Sequence, residues 1–337
     1  MVLVRNPRFH QWSAQAQPAG YPDEIEWTQY PNPGAALTAV ERGKADVMAD
    51  PPPPARIGEL TSRFATLAHA VAGLTIQYLS LNTRVAPFDS LEARRAVNLA
   101  LDRGALARIM GSSSTLKPTC QVLPPGMFGY APYCPFTVHP TPGGAWTGPD
   151  LARARAMVAA SGTSGDKVTV WAWGGSDSTV LVRPIVRTLN QLGYRAGAHV
   201  TPPTGAGFGE WNDATANSKK RVSAVLTGWS ADYPNPIDFL DLLLSCQAFV
   251  PGSPTNLNTA ELCDARLDSL IKVAEATQVR NPAQGAQAWQ KADRRAVDLA
   301  AWASLLTPVG MDVLSARTGN YQHNPEWSVL LSQLWVR

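Results

Sequence analysis

The sequence predicts an α/β protein in which helices cover central β-sheets, and three observations support this fold class. Helix-like and strand-like patterns alternate along most of the chain. The 337 residues are enough for two domains that each bury a core. Apolar residues make up 45% of the chain and charged residues 16%, a balance typical of globular proteins and not of disordered ones.

The strand patterns are segments in which apolar residues alternate with polar ones or form a short apolar run. In chain order, the predicted strands are 46–49, 74–82, 167–173, 194–200, 221–229 and 303–311.

The helix patterns place apolar residues three and four positions apart, so that they share one face. In chain order, the predicted helices lie within 33–43, 87–110, 151–161, 179–193, 264–277 and 281–302. Asp89 with Glu92 fits a capping box at the start of the second of these segments. Asp102, Asp150 and Asn281 are predicted to cap three further helix starts.

The four cysteines form two local pairs, Cys120 with Cys134 and Cys246 with Cys263. No C-x-x-C motif and no histidine at metal-ligand spacing accompanies them, so we expect no metal site. The pairs predict two disulfides formed in an oxidising compartment, with four free buried thiols as the alternative. Residues 116–149 lack periodicity and are rich in Pro and Gly, which predicts a surface excursion held by the first pair.

The cysteines indicate an exported protein, but the N-terminus of this chain does not read as a signal peptide. Only residues 2–4 are apolar before Arg5, which is too short for a signal peptide. No apolar stretch approaches the roughly 20 residues needed to span a bilayer. We therefore expect an extracytoplasmic protein whose export signal is absent from this chain, which implies a missing N-terminus.

Charge and motifs argue against nucleic-acid binding and catalysis. The formal charge is +3 and the basic residues are scattered, so no basic stripe suited to nucleic acid is present. The "GWSAD" segment is similar to a nucleophile elbow, but Asp232 occupies the position where a tight turn needs Gly. The glycines at 205–209 follow "TPPT" and not a strand, which disfavours a dinucleotide site. We expect no enzyme and no cofactor.

The segment "GWSADYPNPIDF" at 228–239 is the candidate binding loop. It follows an apolar strand pattern and places Asp232 between Trp229 and Tyr233. A carboxylate beside flat rings at a strand end can bind a ligand. The alternative is that Asp232 is a turn residue whose side chain bonds its own backbone.

Five stretches, taken in order, resemble family 5 extracellular solute-binding proteins, the dipeptide, oligopeptide and nickel receptors of ABC importers. The matching stretches are "LVRNPRFHQW", "ALTAVERGKADV", "LSLNTRVAPFDSLEARRAVNLALDRGAL", "LPPGMFGY" and "GWSADYPNPIDFL". A cysteine pair after the "GW" motif, as in Cys246 and Cys263, is also similar to dipeptide-type members.

The resemblance implies a two-lobed periplasmic-binding-protein-like fold of type II, in the cluster of peptide receptors. It places the remainder of the first lobe at 1–82 and 305–337, and the second, ligand-binding lobe at 83–304. Because whole members are longer and carry further N-terminal sequence, the resemblance also implies that the first lobe is incomplete here.

The resemblance further implies a site. Asp232 occupies the position that holds the α-ammonium group of a bound peptide, and Trp229 and Tyr233 would form apolar walls beside it. Trp173 at another strand end would line the same cleft, although core packing explains Trp173 and Trp229 equally well. Arg183 is a candidate for the ligand's carboxylate.

The implied function is capture of short peptides between two lobes and their delivery to an ABC permease in the membrane. A nickel chelate or a sugar remains an alternative ligand. A ligand-sensing extracellular domain of a larger fused signalling protein remains an alternative role.

Overall fold

The computed structural model describes residues 1–15, 18–110, 115–216, 218–253 and 255–337. The strands are β1 Val2–Val4, β2 Glu24–Glu26, β3 Val47–Met48, β4 Ala68–Ala72, β5 Thr75–Leu81, β6 Leu116–Pro118, β7 Lys167–Trp173, β8 Arg195–Thr201, β9 Ala224–Ser230, β10 Trp302–Leu314, β11 Thr318–Gly319, β12 His323–Asn324, β13 Ser328–Val329 and β14 Trp335–Val336. The helices are α1 Pro33–Glu41, α2 Ile57–Ser62, α3 Leu91–Ala100, α4 Arg103–Ile109, α5 Leu151–Ala160, α6 Val182–Gln191, α7 Gly205–Ala216, α8 Ile237–Leu244, α9 Ala265–Arg280 and α10 Pro282–Leu299.

The chain folds into two compact units. The first unit consists of Met1–Ala72 with Val309–Arg337, and the second of Gly73–Pro308. The lobe boundaries expected from the sequence, after residues 82 and 304, fall at the end of β5 and inside β10. That division into lobes stays a prediction.

Three of the four predicted helix caps are confirmed. The side chains of Asp102, Asp150 and Asn281 each accept a hydrogen bond from a first-turn N–H. The prediction for Asp89 is wrong, because Ser90 is the N-cap of α3. Asp89 still belongs to the preceding turn, whereas Ser90 has an extended backbone and its side chain accepts a hydrogen bond from the N–H of Ala93.

In the first unit, the second half of β10 runs antiparallel to β3 and to β4. Helices α1 and α2 pack on these strands through a small apolar core of Leu37, Val40, Met48, Leu60 and Val313. The strands β1 and β2 form a separate antiparallel ribbon.

The second unit is built on a mixed sheet with the strand order β10-β5-β9-β7-β8, to which only the first half of β10 contributes. Strand β5 is antiparallel to both neighbours, whereas β9, β7 and β8 run parallel to one another. Side chains alternate along β5, so that Leu79 and Leu81 join a core with α3 to α6. Ile76 and Tyr78 join a second core with α8 to α10.

Both predicted disulfides are confirmed. Cys120 is bonded to Cys134 and Cys246 to Cys263, with Cα atoms 5.2 Å and 4.2 Å apart. Residues 119–150 are all described and none lies in a helix or strand, as expected for the excursion held by the first bond.

A fully buried arginine joins this excursion to the sheet. The guanidinium of Arg103 donates from Nε to the carbonyls of Thr119 and Ser304, at 3.0 Å and 2.7 Å, and from Nη1 to the Asn98 carbonyl at 2.9 Å. Nη2 donates to Asn98 Oδ1 at 3.2 Å. Burial lowers the pKa of Arg103 to about 10.

A fully buried carboxylate holds the same excursion from the helical side. Asp293 on α10 accepts hydrogen bonds from the backbone N–H groups of Val122 and Leu123 and from Gln121 Nε2. Burial raises the pKa of Asp293 to about 6, and these three donors oppose that rise.

Helix α7 has no counterpart among the predicted elements. Its first residues, Gly205–Gly209 in "GAGFG", carry three glycines, which have the weakest helix propensity after proline. None of the helices in the described ranges is both long and apolar enough to cross a membrane.

Candidate ligand-binding groove

A groove of about 450 Å³ opens on the second unit. Strands β5 and β9 contribute Gln77 and Thr227, and α7 contributes Phe208 and Trp211. Trp173, at the end of β7, closes one side. The groove therefore lies where two antiparallel strands, a strand end and a helix meet.

Helix α7 turns an uncharged face to the groove. Phe208, Trp211 and Thr215 line it at helical spacing. The charged residues of α7 pair on other faces of the helix: Glu210 with Nε2 of His199 at 3.0 Å, and Asp213 with Lys220 at 3.4 Å.

The aromatic rings form a continuous wall. The ring centroids of Trp173 and Phe208 are 5.3 Å apart at 76°, and those of Phe208 and Trp211 are 5.7 Å apart at 33°. Such edge-on and tilted contacts are favourable.

A buried carboxylate positions Trp229, which also lines the groove. Oδ2 of Asp238 accepts a hydrogen bond from Trp229 Nε1 at 3.0 Å and another from the backbone N–H of Asp232 at 2.9 Å. Asp238 is fully buried. Burial raises its pKa, and the two hydrogen bonds oppose that rise. One side chain thus fixes both the indole and the start of the loop that follows β9.

Several polar atoms of the groove residues lack a hydrogen-bond partner within the described part of the chain. They are the acceptors Gln77 Oε1 and Asn256 Oδ1 and the donors Trp173 Nε1 and Trp211 Nε1. Each is covered by its neighbours, so a ligand reaches them only when the wall side chains rotate. Because an unpaired buried polar group costs about 1–3 kcal/mol, a ligand that pairs with them gains affinity.

The sequence profile described as bacterial extracellular solute-binding proteins, family 5, middle region, matches residues 1–250. The chain belongs to this family. The membership expected from the five motifs is confirmed, and with it the two-lobed fold class of periplasmic peptide-binding proteins.

Relatives of this family 5 chain are solute-binding receptors and not enzymes. This chain is 26% identical over 269 residues to heme-binding protein A of Haemophilus influenzae, and the match covers 75% of this chain and 43% of the other. It is 25% identical over 319 residues to probable di/tripeptide-binding protein 5 of Pseudomonas aeruginosa, covering 91% and 55%. The chain therefore spans about half the length of these curated relatives.

The fold is also similar to that of a solved structure described as clavulanic acid biosynthesis oligopeptide binding protein 2. The TM-score is 0.78 at 20% identity, and the match covers 99% of this chain and 60% of the other.

The structure brings together only some of the residues that the sequence selected. Trp173 and Trp229 line the same groove. Asp232 and Tyr233 are exposed on the loop after β9, outside the groove lining, and Tyr233 is 44% exposed. Arg183 is exposed in the first turn of α6, also outside the lining. The ligand-binding roles of all five residues stay predictions.

Sequence reasoning missed Asp238. The available signal was an acidic residue two positions after the turn former Pro236, in the first turn of a helix, where the helix dipole favours a carboxylate. That pattern indicates a helix start but not the hydrogen bond to Trp229, which depends on how the loop folds back.

We expect Asp238→Ala to lower the free energy of unfolding of the second unit by roughly 2–3 kcal/mol, because two donors lose a buried acceptor. Urea denaturation followed by tryptophan fluorescence measures this loss. Asp238→Asn keeps one acceptor oxygen in a side chain of similar shape, so its free energy of unfolding should fall by less than half as much. Equal unfolding midpoints for Asp238→Ala and the wild type would show that the carboxylate does not hold the loop.

Proposed function

We propose that this family 5 chain is the substrate-binding part of an ABC importer that captures short peptides outside the cytoplasm and delivers them to a membrane permease. The names of two of its relatives, a di/tripeptide-binding protein and an oligopeptide binding protein, support peptides as the ligand class.

The groove on the second unit is the observation that carries this proposal. Its unpaired groups comprise two N–H donors and two amide oxygens, carried by Trp173, Trp211, Gln77 and Asn256. A peptide bond presents one acceptor and one donor, so it can satisfy one group of each kind. The aromatic wall would exclude water around such a bond, which strengthens the hydrogen bonds.

Asp232 is the proposed anchor for the ligand's α-ammonium group. Its carboxylate is exposed and makes no hydrogen bond or ion pair to the described residues, while its backbone is held by Asp238. An α-amine with a pKa of about 8 is mostly protonated at neutral pH and would form a charge-assisted hydrogen bond there. Tyr233 would flank that bond, and Arg183 is the proposed partner of the carboxylate.

The test is ligand-induced thermal stabilisation of the purified chain by a set of di- and tripeptides. At 100 times Kd, a bound peptide should add about 2.7 kcal/mol to the free energy of unfolding. We expect Asp232→Ala to lose this stabilisation, because the ammonium group loses its partner.

Asp89→Ala is the matched control, since Asp89 is an exposed carboxylate of the same unit outside the groove. It should respond to peptides as the wild type does. If Asp232→Ala and the wild type respond alike, the proposed anchor is wrong; if no peptide stabilises the wild type, peptide capture is wrong.

A further inference from the structure

We propose that the groove selects ligands by a neutral aromatic or large apolar side chain and rejects lysine, arginine, aspartate and glutamate side chains. This inference rests on the proposed capture of peptides and names the class of peptide side chain that the groove accepts.

The first support is the absence of charge. Of the described residues that line the groove, none is Asp, Glu, Lys, Arg or His. The nearest charges on α7, Glu210 and Asp213, are already paired on other faces with His199 and Lys220. The carboxylate of Asp238, which accepts a hydrogen bond from Trp229, is fully buried. A charged side chain that enters the groove therefore loses water without direct contact to a counter-ion, which disfavours its binding.

The second support is the shape of the wall. Trp173, Phe208 and Trp211 form a chain of ring contacts, and Trp229 is held by Asp238. A flat or bulky apolar side chain can stack on these rings and bury its surface, while a small side chain such as alanine leaves most of the wall in water.

The third support lies in Asn256 and Leu257, which line the same groove. Asn256 is 3% exposed, donates from Nδ2 to the carbonyls of Ala216 and Asn258, and leaves Oδ1 without a partner among the described residues. Once the covering side chains rotate, this acceptor suits a neutral N–H or O–H donor, such as an indole or phenol. Leu257 beside it is 37% exposed and adds apolar surface to the lining.

The experiment compares tripeptides of glycine in which one residue, at each position in turn, is Phe, Trp, Leu, Ala, Lys or Glu. Calorimetry gives Kd for each. In at least one position we expect the Phe and Trp peptides to bind at least tenfold more tightly than the Lys and Glu peptides. Equal affinity across the series overturns the inference while leaving peptide capture intact.

Two variants locate the selectivity. Trp211→Ala should weaken the Phe and Trp peptides at least tenfold more than it weakens the Ala peptide. Leu257→Glu introduces a carboxylate into the lining and should raise the affinity for the Lys peptide at least tenfold relative to Phe.

Val180→Glu is the control, because Val180 is 52% exposed and outside the groove lining. It should leave the order of affinities unchanged. If Val180→Glu raises the affinity for the Lys peptide as much as Leu257→Glu does, the assignment of the selectivity to the groove is wrong.

N-acetyl-tryptophanamide and N-acetyl-lysinamide separate the inference from the proposed function. Binding of the tryptophan compound alone, abolished in Trp211→Ala, supports a neutral aromatic site even if no peptide binds. The inference is overturned if the two compounds bind equally, or neither binds, and the tripeptides also show equal affinities.

Discussion

Arg103→Ala is expected to lower the free energy of unfolding of the second unit by roughly 3–5 kcal/mol, a larger loss than the Asp238 variant. The substitution removes four hydrogen bonds from a fully buried side chain and leaves three carbonyls and an amide oxygen without their donor. It also opens a cavity between the sheet and the excursion at 119–150.

Urea denaturation of the purified chain measures this loss. Arg108→Ala is the matched control, since Arg108 lies on the same helix α4 and is exposed. It should change the free energy of unfolding by less than about 0.5 kcal/mol. Arg103→Lys should fall between the two, because a single ammonium cannot reach all four acceptors. If Arg103→Ala and Arg108→Ala unfold at the same urea concentration, Arg103 does not join these elements.

Removal of either disulfide is expected to cost about 3 kcal/mol. The bonds close loops with sequence separations of 14 and 17 residues, for which the chain-entropy model predicts this loss by restricting the unfolded chain. The paired variants Cys120→Ser with Cys134→Ser, and Cys246→Ser with Cys263→Ser, test each bond separately.

Reductant provides the control for the disulfide prediction. Dithiothreitol should lower the unfolding midpoint of the wild type, and the chain with all four serines should not respond to it. A wild type whose midpoint is unchanged after complete reduction, verified by thiol labelling and mass, would contradict the prediction.

The sequence predicted most of the second unit because its elements carry local signals. Strand β7 alternates along Lys167–Trp173, and the capping side chains of Asp150 and Asn281 mark helix starts through bonds only three residues long. Local spacing also paired the cysteines correctly. Such features depend on neighbouring residues, so periodicity and capping rules identify them.

The groove could be predicted only in part, because it combines residues far apart in the chain. Gln77, Trp173, Trp211 and Trp229 meet there only once β5, β7, α7 and β9 have packed. Their strands signal where Trp173 and Trp229 lie, but no local pattern places Trp211 beside them. The glycines at the start of α7 weaken its helix pattern, so the helix that completes the aromatic wall was not predicted.

The long strand β10 has a consequence for how the nascent chain matures. Every residue of the second unit, Gly73–Pro308, is translated before Val309. In the first unit, by contrast, β3 and β4 acquire their partner only when residues 309–314 emerge from the ribosome. The unit that carries the groove can thus complete its sheet while β3 and β4, which are made earlier, still lack their partner strand.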